Sequence, residues 1–459
     1  MAPALALFLW FVLLLALLRS DPARDSEVSS ALWVPLTWMV FMASRLPSQW
    51  LGESSVSASA AGYEEGNLTD RTILSILIVL ALGILMSRMI QWNDLFARNA
   101  ALLLFLFVTF MSIVWSDFPI TALKRWFRDL GNYIMILVVL TDPRPLQAIH
   151  TLLRRLCYLL IPLSVVLIKY YPQMGRGYSE WTGEAYYLGV TTSKNMLGAL
   201  CLVSGIFLVW DTARRWSSRR ERWTRQIMLV NVAFLGMTVW LLKIADSATS
   251  RGCFLIGCLV IALAHRRSVQ HNTAWLKVLI PIALCLYMIL DFGFNINDVV
   301  AEAFGRDPTF TGRSELWKDL LSLNTNPILG TGYESFWLGD RLAFLWAKHP
   351  FGPNQAHNGY LELYLNLGLL GLALVAAILI SSYRHICQRL SLDPGAASLS
   401  LALWTVLLVY NTTEAAFKNH LLWFTFLLGA VVVPVRVAKA EPTRAADSLR
   451  LGVRQGTAR

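Results

Sequence analysis

An all-α polytopic membrane protein is the fold class that this sequence predicts, and three observations predict it. The 459 residues are 56% hydrophobic and only 15% charged, with a mean hydropathy of +0.52, which is too apolar for a water-soluble globule of this size. The apolar residues run in blocks of Leu, Ile, Val, Phe and Ala without period-2 alternation. In hydrocarbon every backbone N–H and C=O must be bonded internally, and such blocks achieve this as helices rather than as barrel strands. The arginines and lysines, finally, cluster in short connections beside the blocks, where lipid headgroups and the insertion machinery act on them.

A full crossing takes roughly 20 residues. Apolar centres fall at 4–18, 31–44, 72–86, 100–115, 130–141, 156–168, 196–210, 227–242, 253–264, 276–290, 360–380, 399–410 and 421–435. Several are short and must borrow flanking residues, and the second or fifth could be re-entrant, so about 12–13 transmembrane helices are expected in one integral membrane domain over residues 1–459. The first block lacks a positive n-region and a small-residue cleavage site, which favours a retained helix.

Orientation follows from the positive-inside bias. Arg214, Arg215, Arg219, Arg220, Arg222 and Arg225 mark one connection as cytoplasmic. Alternation then places Arg154 and Arg155, residues 265–267, residues 384–389 and a tail at 436–459 on the same side. Residues 45–70, 116–129, 169–194, 243–251, 411–420 and one large loop, 291–358, fall on the other. The net charge of +11 could suggest nucleic acid, but its placement beside apolar blocks points to the bilayer rather than to nucleic acid. All six cysteines lie in or beside predicted spans with no CxxC pair, so neither a disulfide framework nor a zinc site is indicated.

Some cations stand where the bias does not want them. Lys124 and Arg125 lie in WSDFPITALKRWFRD, Lys194 in TTSKN, Arg251 in SATSRG and Arg313 in TGRSELW, all on the outward side. Each could be a snorkelling or ion-paired interface residue. Together they fit an anion such as a diphosphate held at that face, because Arg251 and Arg313 each adjoin a glycine, Gly252 and Gly312, where backbone can approach a bulky anion. His357 precedes the eleventh block in QAHNGYLE. Histidine ordinarily titrates near neutrality, so it could serve there as a general base; a helix-capping role is the alternative. Trp317, Phe336, Trp337, Phe344 and Trp346 could stack on sugar rings or anchor at the interface.

The series WSDFP..ALKR, GVTTSKNMLG, SATSRG, TGRSELW, ILGTGYESFW and QAHNGYLE resembles the bacterial O-antigen ligase and exopolysaccharide polymerase superfamily, in particular its rhizobial-type exopolysaccharide-production branch. The resemblance runs from about Trp33 to Val435. It implies a GT-C-like membrane glycosyltransferase of inverting type, in the bacterial inner membrane, acting at the periplasmic face. The donor would be an undecaprenyl-diphosphate-linked oligosaccharide and the acceptor a glycan, with polysaccharide assembly proteins as further partners and neither cofactor nor metal required. By the same resemblance Arg251 and Arg313 hold the donor diphosphate, Lys124, Arg125 and Lys194 are further basic positions of that site, and His357 deprotonates the acceptor hydroxyl. The absence from the sequence of a DxD motif, a P-loop and an HExxH agrees independently. A transporter of the same lipid-linked glycan is the reading of another class. It would call for repeat symmetry and mid-membrane ionisable residues, and neither is evident. Polymerase and ligase are not separated by residues, since acceptor choice depends on the shape of the 291–358 loop.

Overall fold

The computed structural model describes residues 2–21, 28–53, 66–178, 183–266, 269, 272–294, 313–323, 325–349, 352–418 and 420–434. Every apolar block of the sequence is helical over most of its length. In chain order these are α1 (Pro3–Arg19), α2 (Trp33–Ala43), α3 (Leu68–Met86), α4 (Trp92–Arg98), α5 (Ala100–Met111), α6 (Pro119–Leu140), α7 (Pro145–Tyr170), α8 (Lys194–Arg215), α9 (Arg222–Ile244), α10 (Ala248–Ala264) and α11 (Ala274–Phe294). The long loop contributes α12 (Arg313–Ser322) and α13 (Gly339–Lys348), and α14 (Gly359–Leu392), α15 (Pro394–Tyr410) and α16 (Leu421–Ala430) follow. The chain is an all-α polytopic membrane protein.

Local chemistry sets the boundaries. Proline opens α1, α6, α7 and α15 at a position where a missing N–H costs nothing. Side chains cap others: Asn67 accepts from the Thr69 N–H at 2.7 Å, Ser193 from the Met196 N–H at 3.2 Å and Asn358 from the Tyr360 N–H at 3.0 Å, each satisfying a donor that the first turn leaves free. Among the described residues, α3, α7, α8, α9 and α14 are long and apolar enough to cross a membrane, and α4 with α5 and its continuation to Trp115 make a sixth if that pair, bent by 88°, is one span. Helices α1, α2, α10, α15 and α16 are shorter, at 10–17 residues, so the blocks counted in the sequence differ in length. At the centre α8 is buried along almost its whole length and packs against α7, α9, α10 and α15.

At one end of the bundle lies a buried ionic cluster. Arg154 and Arg155, expected in a connection, are instead helical residues of α7. The Arg154 guanidinium bonds the Asp211 carboxylate at 3.3 Å and Asp21 at 3.6 Å, while Arg215 and Asn231 also donate to Asp211, at 3.0 and 2.9 Å. Helix α7 has room for charge there because its partners α1 and α8 each bring a carboxylate.

At the other end, residues 116–129 are not a loop as expected. From Pro119 onward they form the amphipathic first half of α6. Residues 169–194 carry a short hairpin, β1 (Arg176–Tyr178) paired antiparallel with β2 (Ala185–Tyr187). The described part of the long loop has its own small core of Leu316, Leu320, Phe336, Trp337, Leu342 and Leu345. Trp317, Trp337 and Trp346 donate their indole N–H groups to Ala356, Glu362 and Pro353 respectively, so these rings build the loop rather than face a ligand; Phe344 is exposed. The helix-like stretch 298–304 and the tail at 436–459 lie outside the described residues.

Helix α14 is broken at Gly368, whose φ of 61° and ψ of −159° are non-helical. Residues 326–332 fill the break. The Thr331 and Gly332 N–H groups donate to the Leu365 and Asn366 carbonyls at 3.1 and 2.9 Å, and the Leu369 and Leu370 N–H groups donate to Pro327 and Ile328 at 2.9 and 3.1 Å. Non-helical backbone within a membrane helix requires such partners. The glycines of ILGTG permit the approach: a Cβ at Gly330 would stand 2.4 Å from the carbonyl carbon of Asn366, and one at Gly368 only 2.3 Å from that of Ile328.

Candidate functional site

The segments that charge bias assigned to the outward side meet one another, and their meeting point is the connection 411–418 between α15 and α16. Asn411 anchors it. Its side-chain oxygen accepts from the Ala416 N–H at 2.8 Å, its carbonyl accepts from the Gly359 N–H at 2.8 Å, and Gly359 has no space for a Cβ against it. This pins the connection to the N-terminus of α14 and holds Glu414 in the interior, with its side chain 6% exposed.

Glu414 is a hub. One carboxylate oxygen accepts from Arg313 at 3.0 Å and from Asn195 at 2.8 Å. The other lies 3.2 Å from Nδ1 of His357. An ionised carboxylate can only accept, so Nδ1 carries the proton and Nε2 is left as the basic nitrogen. Arg313 also donates to the Thr413 carbonyl at 2.7 Å, which fixes the plane of its fork and leaves its remaining N–H groups for another anion. The structure therefore brings Arg313 and His357 together through a residue that the sequence reading did not name. His357 does not cap α14, a role taken by Asn358; it adopts a φ of 49°, a strained conformation for a residue with a Cβ.

The other expected cations are placed differently. Lys194 is exposed at the start of α8, next to Asn195 of the hub. Arg251 lies one turn into α10, whose Thr249 hydroxyl is 2.6 Å from that of Thr413. Its guanidinium pairs with Asp246 at 2.9 Å, with both side chains well exposed, a surface ion pair of the kind worth about 0–1 kcal/mol. A Cβ on Gly252 would meet open space, and Gly312 lies outside the described residues. Lys124 is exposed on α6, whereas Arg125 donates to the carbonyl of Glu334 at 2.7 Å and so belongs to a second cluster.

That second cluster surrounds a narrow, half-open cleft beside the 411–418 connection, lined among others by Tyr333, Glu334, Glu362, Asn366, Phe417 and Lys418. Glu362 accepts from the Trp337 indole at 2.9 Å, from the Ala356 N–H at 2.8 Å and from Lys418 at 3.2 Å. Tyr333 donates to Asp129 of α6 at 2.9 Å, and Asp129 accepts from Arg128 at 2.8 Å. Burial pushes the Glu334 carboxyl up, but Lys418, Arg125 and Arg128 outweigh it and hold the group below the ordinary glutamate range. His420 closes the connection by accepting from the Leu422 N–H at 3.1 Å. Burial above all, with Lys418, outweighs the pull of Glu414 and lowers it to about 4, so it is a neutral cap.

Glu334, Glu362, Glu414 and Lys418 were the residues that sequence reasoning missed. Glu334 and Glu362 sit inside the motifs ILGTGYESFW and QAHNGYLE, and Glu414 is an acid between two apolar blocks. An ionisable residue at such a depth is itself a signal.

Comparison with known proteins finds similarity over part of the chain, which does not include the 411–418 connection. The O-Antigen ligase family model matches residues 247–376, which include Arg251, Arg313, Glu334, His357 and Glu362. The exopolysaccharide production protein ExoQ of Rhizobium meliloti (strain 1021) is 30% identical over 99 residues, 20% of this chain and 23% of that protein, so the chain aligns with about a quarter of the length of this curated relative. Over these stretches the chain is similar to the O-antigen ligase family and to an exopolysaccharide production protein, in keeping with its motif order and helical membrane architecture.

Proposed function

We propose that this protein is a membrane glycosyltransferase that polymerises or transfers undecaprenyl-diphosphate-linked glycan at the periplasmic face of the bacterial inner membrane, in exopolysaccharide biosynthesis. The observation that carries the proposal is the convergence of Arg313 and His357 on the buried Glu414. A guanidinium fork suits a diphosphate leaving group, and an oriented imidazole suits a poorly acidic sugar hydroxyl. In the proposed reaction the acceptor oxygen attacks the anomeric carbon of the donor sugar with inversion, and the bond from that carbon to the phosphate oxygen breaks. The hydroxyl proton passes to Nε2 of His357, and undecaprenyl diphosphate departs with the bonding pair. Arg313 stabilises the negative charge that grows on the leaving phosphate, an interaction stronger in the transition state than before it. Arg251 and Lys194, whose neighbours Thr249 and Asn195 contact the connection and Glu414, would contribute to the diphosphate field, Arg251 after giving up a weak surface pair. Lys124 and Arg125 stand on the α6 side, and of the proposed basic set they lie toward the glycan rather than the hub.

The mechanism needs no nucleotide sugar and no metal. Its test is to incubate purified protein with undecaprenyl-diphosphate oligosaccharide and lipid A core in the presence of chelator. Longer lipid-linked glycan indicates polymerisation, and glycosylated lipid A core indicates the ligase reaction that the family description favours as second reading. Movement of donor across a vesicle membrane without any new glycosidic bond would replace both by transport.

A further inference from the structure

The cleft beside Glu334 differs in character from the arginine-bearing hub. Arg125, Arg128 and Lys418 stand near it with Asp129, Glu334 and Glu362, so three cations face three carboxylates and the local field has no sign to attract a polyanion. Its walls are mixed, with Phe105, Leu363 and Phe417 on the apolar side and Tyr333, Asn366 and Lys418 among the polar ones. The carboxylates of Asp129 and Glu362 are engaged by neighbouring side chains and backbone. That of Glu334 makes no hydrogen bond or ion pair to any described residue, although its backbone is tied to Arg125. Its φ of 50° lies in the left-handed region, where a residue with a Cβ is strained. The cleft also adjoins the hub, since Gly359 and Ala415 of its wall follow His357 and Glu414 within two residues.

Mixed walls of this kind, with an ionised acceptor and an ammonium donor above apolar surface, match the alternation of hydroxyl and C–H faces on a pyranose ring. Resting on the glycosyl-transfer reading above, we infer that this cleft is a saccharide subsite in which Glu334 accepts hydrogen bonds from hydroxyls of the acceptor sugar, and that Glu334 is a determinant of which acceptor is taken. In this proposal the ring's reacting hydroxyl is directed toward His357, and the diphosphate of the donor is held at the Arg313 and Glu414 hub.

The test measures binding apart from turnover. Full-length detergent-purified protein is titrated calorimetrically with an oligosaccharide cut from the host's own exopolysaccharide, and separately with undecaprenyl diphosphate. Glu334→Ala should weaken the oligosaccharide by tenfold or more, the loss expected when a hydrogen bond to a charged group is removed, and Glu334→Gln by less, because the amide oxygen still accepts. Undecaprenyl diphosphate affinity should not change. Should Glu334→Ala not fold, Glu334→Gly suits the positive φ, and Lys418→Met alters the opposite wall. No oligosaccharide binding by the unaltered protein, unaltered binding in the variants, or a parallel fall in undecaprenyl diphosphate affinity each overturns the subsite. Oligosaccharide binding that depends on Glu334 in a protein that forms no glycosidic bond would instead remove the transfer reading and leave the subsite standing.

Discussion

Arg313, His357 and Asn195 share one carboxylate, so their contributions are coupled rather than additive. Arg313→Ala is expected to lower glycan transfer by about a hundredfold, the usual loss when a charge-stabilising donor is removed, with membrane abundance unchanged; an unaltered product length distribution at normal abundance would remove the diphosphate clamp. His357→Ala should slow turnover more than it weakens donor binding, which single-turnover kinetics on prebound donor would separate. Glu414→Ala should lower both transfer and thermal stability, and the Glu414→Ala/Arg313→Ala double variant should be little worse than Glu414→Ala alone, since the first change already releases the fork. A fully additive cycle would mean that the 3.0 Å contact does nothing for function. At this scale the sequence was half legible. Cations on the wrong side of the charge bias stand out because they violate a rule, and so Arg251, Arg313 and His357 could be picked by position. Carboxylates on the outward side violate nothing, and so Glu334, Glu362 and Glu414 went unmarked until their partners were seen around them.

At the level of the element, the apolar blocks were legible because burial in lipid leaves no other way to satisfy the backbone. The amphipathic first half of α6 was not, since its charged face breaks the apolar run. The break in α14 was equally hidden: a glycine inside an apolar run reads as ordinary, and only residues 326–332 reveal why Gly368 must be one. Gly330→Ala and Gly368→Ala are therefore expected to lose folded protein, measured as recovery of a monodisperse detergent-solubilised species, because each Cβ would press on backbone that cannot retreat. Gly252→Ala, which meets open space, should leave recovery unchanged. The connection 411–418 carries a pH dependence of its own. His420 is held at about 4 in the folded protein against an ordinary value near 6.5, so the unfolded chain binds its proton first. Folded stability is full above about pH 6.5 and falls as pH drops from there toward 4. His420→Asn keeps an acceptor at the cap without the titration, and its thermal midpoint should fall less over that interval than that of the unaltered protein.

Taken whole, the molecule is polar at both ends in different ways. One end is closed by the Arg154, Asp211 and Asp21 cluster, which is ion-paired and deeply buried. Asp211→Ala leaves Arg154 and Arg215 without their shared partner and should destabilise the protein by about 3–5 kcal/mol, seen as a large drop in thermal midpoint with no separate effect on donor affinity. The other end keeps cations with donors to spare. The break in α14 and the hub also dictate an order of assembly. Residues 326–332 leave the ribosome before the helix they complete, and Arg313 and His357 are made well before residues 413 and 414, which fix them. In the proposed enzyme the side chains of Arg313 and His357 are thus made before the carboxylate they share, and they become oriented only once α15, α16 and the connection between them are in place.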